Sequence, residues 1–240
     1  MKTMLIAILL SLNLNQVSAS SLNSFFLNAD KFFKTYVVDG QVDYASVKAS
    51  PKLIDELVDA IGKADLNGIS ESKQKAFYIN AYNILIIKAV SDHFPVKSPL
   101  DIEGIFNQKE HLVEGIPVTL SKLENEIIRP RYRDARTHFA LVCAAQGCPP
   151  LLSRAYNESN VEDLLKEQTH RVVHSDTFVE LAADGNSVSL SKLFEWYKED
   201  YLVNGKADII AFINIYRKDD LPKGLQINFK EYNWNLNSIE

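Results

Sequence analysis

The residues best suited to chemistry are two cysteines five positions apart. Cys143 and Cys148 are the only cysteines of the 240-residue chain, and Gly147 lies between them. An even cysteine count favours a disulfide. A turn at Gly147 can also bring the two Cα atoms within the separation of about 4.4–6.8 Å that a disulfide requires. Alternatively, Pro149 and Pro150 predict a helix start, where N–H groups and the helix dipole would make Cys148 a reactive thiolate beside an oxyanion site.

His138 is the candidate base for a Cys148 nucleophile, and Glu124 would orient its ring. However, the apolar run Thr137–Cys143 predicts a buried strand. Residues advance about 3.3 Å each along a strand, so His138 would lie more than about 10 Å from Cys148 unless the chain folds back. A base supplied from elsewhere therefore stays open.

A metal site is the third interpretation. Cys143 and Cys148 are spaced more widely than the ligands of common zinc knuckles, and His170 and His174 have helical spacing without the intervening Glu of a metalloprotease motif. Two histidines on a solvated helix face are the favoured alternative. We therefore expect no metal and no cofactor.

Two asparagines interrupt a helix that is apolar on nearly every side. The segment Ala76–Val90 predicts a buried central helix, on which Asn80 and Asn83 share one face. Buried amides without partners would each cost about 1–3 kcal/mol, so both require hydrogen bonds. Either they line a polar cleft or they hold the backbone of a neighbouring loop.

The second half of the chain predicts hairpins and grouped helices. These elements are a hairpin over His111–Leu120 turning at Glu114-Gly115, a helix over Leu120–Arg129 with a Ser121-x-x-Glu124 capping box and a stop at Pro130, a hairpin of Thr177–Ala182 with Ser187–Leu190, helices Ser191–Asp200 and Ala207–Tyr216, and a strand near Gln226–Lys230. This grouping predicts a single-domain α+β fold, with a central buried helix and surrounding helices packed on a mainly antiparallel sheet.

Residues 1–19 predict a secretory signal peptide. Lys2 is the only charge, Met4–Leu12 is a short apolar run, and Val17-Ser18-Ala19 has the small residues that signal peptidase requires. We expect cleavage after Ala19, a secreted or periplasmic location, and one domain over residues 20–240. An uncleaved anchor is the alternative, although the apolar run is shorter than the roughly 20 residues that span a bilayer.

The composition is that of a soluble globular protein. Hydrophobic residues make up 46%, and 26 Lys and Arg stand against 31 Asp and Glu, for a formal charge of −5. This balance argues against binding of nucleic acid through phosphate neutralisation. We expect no stable membrane span after leader cleavage, and a partner that is a small molecule or a peptide.

Six segments in order along the chain resemble one known family. They are Gly40-Gln41-Val42-Asp43-Tyr44, Ala76-Phe77-Tyr78-Ile79-Asn80-Ala81-Tyr82-Asn83, Ser121-x-x-Glu124 with Ile128-Arg129, Arg136-x-His138 to Cys143 with Cys148-Pro149-Pro150-Leu151, Trp196-Tyr197-x-x-Asp200, and Tyr232-x-Trp234-x-Leu236-Asn237. The sequence thus resembles the domain of unknown function 547 from about Asp39 to Asn237. Tyr78 is a departure, since the family more often has Trp there. With the leader, the resemblance implies an exported bacterial member, a fold and a residue set, but no activity.

The resemblance implies one set of site residues: Asn80, Asn83, Glu124, Arg129, Arg136, His138, Cys143 and Cys148. Similar domains also occur in intracellular plant and animal proteins, where stable disulfides are rare. The resemblance therefore implies a reactive thiol as readily as a disulfide.

Two functional hypotheses follow. The first is a thiol-dependent hydrolase or transferase acting on an extracytoplasmic amide or ester. Cys148 would be its nucleophile, His138 its base, Glu124 the orienter, and Asn80 or Asn83 an oxyanion or substrate donor. The second is a non-catalytic module that binds a ligand or partner, with a structural Cys143–Cys148 disulfide.

Overall fold

A computed structural model describes residues 21–239 of the chain. The expected signal peptide and its cleavage site after Ala19 lie outside the described residues. Of the helices between residues 21 and 239, none has both the length and the hydrophobicity needed to cross a bilayer.

Helices dominate the described chain. The α-helices are α1 (21–36), α2 (Tyr44–Ala49), α3 (Lys52–Gly62), α4 (Glu71–His93), α5 (Leu120–Lys122), α6 (Arg129–Tyr132), α7 (Val161–Val173), α8 (Lys192–Trp196) and α9 (Ile209–Tyr216). A π-helical turn over Leu123–Ile128 joins α5 to α6, and 3-10 helices cover Pro99–Asp101, Ala135–Phe139 and Lys198–Asp200.

The strands form small separate sheets rather than one. They are β1 (Val37–Val38), β2 (Gln41–Val42), β3 (Glu110–Val113), β4 (Ile116–Thr119), β5 (Val179–Leu181), β6 (Ser187–Leu190), β7 (Leu202–Val203), β8 (Lys206–Ala207) and β9 (Gln226–Phe229). Four hairpins pair antiparallel, and β9 joins β6 in parallel. The α+β class is confirmed, with the antiparallel pairing divided among several sheets.

Helix α4 is the buried centre that the sequence predicts. The Ser70 hydroxyl caps it by accepting a hydrogen bond from the N–H of Lys73, and most of its 23 residues are buried. Apolar side chains surround it on every side because α2, α3 and α7 and the π-helical turn all pack against it. Asn80 and Asn83 consequently lie deep in the interior.

The turn of the first predicted hairpin is confirmed. Glu114 and Gly115 have φ values of 52° and 75°, and Val113 pairs with Ile116 across them. Two successive residues with positive φ form the turn that matches the twist of a two-residue hairpin, and glycine adopts this conformation at low cost. The hairpin of β5 and β6 is also confirmed.

The predicted strand over Thr137–Cys143 is wrong. Ala135–Phe139 forms a 3-10 helix, which Asp134 caps by accepting a hydrogen bond from the N–H of Arg136. A short apolar run shows only that a segment is buried, and it fits a buried helical turn as well as a strand. The distance objection to His138 rested on an extended strand and no longer holds.

The predicted end of the Leu120–Arg129 helix at Pro130 is wrong. The helical path continues to Tyr132, and Arg133, at a φ of 47°, ends it. Pro130 is the second residue of α6 and follows the π-helical turn, so the chain passes through it without losing a needed N–H.

Two hydrophobic clusters lie on either side of the 3-10 helix that carries His138. The larger surrounds α4, and the smaller lies among α9, β5, β6 and the C-terminal end of α7. Tyr232 packs against both clusters. The segment that carries it therefore joins the two parts of the core.

Candidate functional site

An aromatic-walled cavity of about 310 Å³ lies beside the 3-10 helix Ala135–Phe139. Six of its lining residues are aromatic: Tyr82, Phe106, Trp196, Tyr197, Tyr232 and Trp234. Ser121, Glu124, Asn125 and His138 add polar groups to this wall. A mainly apolar wall with a few convergent polar groups is typical of a site for a small molecule.

Separate elements place these side chains together. Helix α4 provides Tyr82, the π-helical turn provides Glu124, and the end of α8 provides Trp196. Tyr232 and Trp234 come from the segment after β9, and the rings of Trp196, Tyr232 and Trp234 lie 4.8–6.1 Å apart. The cavity therefore depends on tertiary packing and belongs to no single motif.

His138 is held by a carboxylate that the sequence did not assign to the site. Its Nε2 lies 2.7 Å from Oδ2 of Asp200, and the same oxygen accepts a hydrogen bond of 2.8 Å from Nε of Arg129. The hydrogen bond with His138, followed by that with Arg129, holds the pKa of Asp200 well below its usual range. Asp200 is therefore a carboxylate, and the Nε2 of His138 donates to it.

The ring of His138 is fixed on its face as well as at its edge. It stacks on Tyr197 with 3.7 Å between the ring centroids and 13° between the planes. The guanidinium of Arg129 lies 5.0 Å from the centroid of the same Tyr197 ring. The Nδ1 of His138 is buried without a hydrogen-bond partner. One nitrogen is thus anchored to Asp200, and the other has no hydrogen-bond partner.

Glu124 is the second buried acid–base group of the cavity. Its Oε1 accepts a hydrogen bond of 2.6 Å from the hydroxyl of Tyr197 and lies 3.8 Å from Nδ1 of His138. Burial, with the nearby Glu124 charge as a further cause, raises the pKa of Tyr82, Tyr197 and Tyr232 far above the ordinary value. These hydroxyls therefore stay protonated, and that of Tyr197 donates to Glu124.

The predicted capping box does not form, and the Glu124 side chain contacts Tyr197 instead. Thr119 caps α5 by accepting a hydrogen bond from the N–H of Lys122, so Ser121 lies inside the helix. Glu124 then falls at the second position of the π-helical turn. Its side chain reaches the hydroxyl of Tyr197 instead of the helix end. Wide turns of this kind occur frequently at functional sites.

The two cysteines lie at disulfide distance, with their Cα atoms 6.3 Å apart. The hydroxyl of Tyr232 lies 3.1 Å from Sγ of Cys143 and 3.2 Å from Sγ of Cys148. A Cβ on Gly147 would come within 2.9 Å of the Tyr232 ring, so this close packing requires glycine. Cys143 therefore lines the cavity, whereas Cys148 lies outside its lining.

Cys148 differs from the expected nucleophile in two respects. Its sulfur lies at disulfide distance from that of Cys143, and the structure shows no free thiol at either residue. Residues 149–152 are not helical, and the helix start expected at Pro149 and Pro150 is absent. Cys148 accordingly has no helix N-terminus to activate it. His138 and Glu124, its expected partners, do lie together in the cavity.

Asn80 and Asn83 hold backbone rather than line the cavity. Asn80 accepts from the N–H of Tyr156 and donates to its carbonyl, at 3.0 and 2.7 Å. Asn83 accepts from the N–H of Val142 and donates to the carbonyl of Ala140, both at 2.9 Å. Each amide therefore has both of its groups engaged, and neither is placed to act as an oxyanion or substrate donor.

The two predicted arginines lie in different parts of the structure and have different partners. Arg129 supports the site from behind through Asp200. Arg136 pairs instead with Asp134 and Glu162, at 2.7 and 2.6 Å, in a cluster with Lys75. These partners hold the pKa of Asp134 and Glu162 low against the opposing effect of burial. Arg136 is therefore a structural residue of α7 packing.

The aromatic residues of the cavity and Asp200 carry no site role in the predictions from sequence. The signal was present, because Trp196-Tyr197-x-x-Asp200 and Tyr232-x-Trp234 were among the segments of the family resemblance. The α8 region places Trp196 and Tyr197 at the cavity and turns Asp200 behind His138.

No group of three or more His, Cys, Asp or Glu side chains within residues 21–239 is arranged to hold a metal ion. His170 on α7 and His174, which follows its last residue, have ring centroids 6.0 Å apart. The Nδ1 of His174 lies 2.7 Å from the carbonyl of His170, which is a local helix contact.

A comparison with protein-family models matches residues 66–173 to the family described as "Protein of unknown function, DUF547". The matched range includes Asn80, Glu124, His138 and both cysteines. The aromatic residues of α8 and of the C-terminal segment lie beyond it. Neither the curated proteins nor the solved structures contain a match to this chain.

Proposed function

We propose that this chain, a member of the DUF547 family, binds a small organic molecule in the aromatic cavity. The observation that carries the proposal is the cavity itself: six aromatic side chains surround a buried polar pair, Glu124 and His138. Aromatic walls supply apolar contact area, and the few polar groups orient the ligand.

The cysteine pair has a structural role in this proposal. Because Cys143 lines the cavity and Tyr232 touches both sulfurs, the bond braces one wall. A thiol-dependent hydrolase or transferase would need a free thiolate at Cys148, which this geometry does not provide. The binding function therefore ranks above the thiol enzyme.

The chain contains its own reporters of binding. Trp196 and Trp234 are its only tryptophans, and both line the cavity. Tryptophan fluorescence can be titrated with three phenylethyl probes of similar size, namely 2-phenylethylammonium, 2-phenylethanol and phenylacetate. We expect a saturable change with at least one probe, at a dissociation constant of about 1 mM or below, as the efficiency of small ligands allows.

A matched pair of variants locates the binding. Ser121→Phe places a ring in the cavity wall and should abolish the saturable change, whereas Lys122→Phe alters the neighbouring exposed residue, which does not line the cavity, and should retain it. Circular dichroism checks that both variants are folded. The proposal fails if no probe gives a saturable change in the wild type, or if the response is the same in both variants.

A further inference from the structure

We propose that the ligand is an organic cation, with a primary ammonium group against Glu124 and a short apolar body between the aromatic walls. This inference rests on the proposed binding function and adds the chemical class of the ligand. Charge, unpaired hydrogen-bond acceptors and ring composition support it separately.

The cavity wall carries one carboxyl side chain, that of Glu124, and no Lys or Arg side chain. The nearest guanidinium, that of Arg129, is engaged with Asp200 and Asn125 at 2.8 and 2.6 Å. Arg129 and Asp200 line a separate surface depression. A cationic ligand would therefore complete the charge of the site.

Two acceptors face each other in the cavity wall without a donor between them. In the tautomer whose Nε2 donates to Asp200, the Nδ1 of His138 presents a lone pair, and this atom has no partner. It lies 3.8 Å from Oε1 of Glu124, which is too far for a direct hydrogen bond. An ammonium group carries several N–H donors and can serve both acceptors.

The rings of the cavity wall favour the same ligand. The negative face of an aromatic ring attracts a cation, most strongly for Trp and then Tyr. Trp196, Trp234 and Tyr232 stand together at the wall, and Tyr82 lines it from α4. Trp196 is 44% exposed, which leaves part of its ring available to a ligand. An anionic ligand would meet Glu124 and lose affinity.

The three phenylethyl probes separate this inference from the binding function itself. In the wild type, tryptophan fluorescence or calorimetry at neutral pH should show 2-phenylethylammonium binding about tenfold tighter than 2-phenylethanol, with phenylacetate weakest. Equal or tighter binding of the alcohol or of phenylacetate would overturn the cation while leaving the binding function intact. Failure of all three probes would overturn both.

A second arm assigns the preference to Glu124. Glu124→Gln keeps an oxygen for the Tyr197 hydroxyl but removes the charge, so ammonium binding should weaken about tenfold and alcohol binding should change by less than about threefold. Glu126→Gln removes an exposed charge from the same π-helical turn outside the cavity and should change neither. An unchanged ammonium affinity in folded Glu124→Gln would contradict the inference. If that variant does not fold, the ranking of the probes in the wild type still decides.

Discussion

A single oxygen of Asp200 contacts both Arg129 and His138. Its Oδ2 accepts from Arg129 and from His138, so the carboxylate fixes the imidazole in one plane and gives it one tautomer. Because Nε2 is engaged in this way, Nδ1 is the ring nitrogen that lies on the side of Glu124. Asp200 thus orients the His138 ring in the cavity although it does not line the cavity itself.

Replacing Asp200 tests this arrangement. Asp200→Asn leaves the Arg129 guanidinium and the His138 ring without their common acceptor, and should lower the free energy of unfolding at pH 7 by about 1–3 kcal/mol. The lower end is expected because the Asp200 side chain is 28% exposed and solvent screens part of the interaction. Urea unfolding of the two proteins measures the difference.

The pH dependence of that difference has a definite sign. The pKa of Asp200 is lowered in the folded protein, so its contribution is complete above the ordinary carboxyl pKa of about 3.9 and is lost as the pH falls below it. The difference between wild type and Asp200→Asn should therefore shrink progressively from about pH 5 down to the lowest pH at which both proteins stay folded. Glu199→Gln, at a neighbouring side chain that is 75% exposed, should match the wild type throughout. A constant difference across this range would contradict the role of the carboxylate.

Residue type predicted some of the site but not its pairings. Glu124 and His138 were singled out because an acid and a base in apolar surroundings suggest a cleft, and both line the cavity. The asparagines carry the same signal, yet they hold backbone, because an amide serves a buried loop as well as it serves a ligand. Residue type alone does not distinguish the two uses.

Among the elements of the fold, the π-helical turn over Leu123–Ile128 is the one that the sequence predicts least well. The Ser121-x-x-Glu124 spacing predicts a capping box, but Thr119 caps the helix two residues earlier than that pattern requires. The wider turn then places Glu124 toward Tyr197. Local pattern predicts that a helix is present, whereas its register depends on what packs against it.

The proposed disulfide between Cys143 and Cys148 can be tested directly. Replacing both residues in Cys143→Ala/Cys148→Ala opens a loop of about six residues, and the entropy of so small a loop predicts a loss of about 2 kcal/mol in the free energy of unfolding. Probe binding should weaken as well, because the wall formed by Cys143 and Tyr232 loses its brace. Urea unfolding and tryptophan fluorescence measure the two effects.

Reduction of the wild type provides the control for this variant. Dithiothreitol should lower the stability of the wild type toward that of the double variant and leave the double variant unchanged. Wild type that titrates with two free thiols before reduction, or that keeps its full stability after reduction, would contradict a bracing role and return attention to Cys148 as a thiol.

At the scale of the whole molecule, the cavity lies where the two hydrophobic clusters meet. Tyr232 packs against both, and the aromatic segment that follows β9 closes the wall beside α8. Periodicity predicted the central helix, the hairpins and the α+β class, because each follows from local spacing of apolar residues. The division of the strands into small sheets and the parallel pairing of β9 with β6 depend on long-range contacts, which no local pattern specifies.

A crystal structure of the wild-type protein with 2-phenylethylammonium would show directly whether a cation binds beside Glu124. We expect the nitrogen within about 3 Å of the Glu124 carboxylate, facing Nδ1 of His138, and the phenyl ring against Trp196 and Trp234. An empty cavity at saturating probe, or a probe bound with its nitrogen directed away from Glu124, would contradict this expectation.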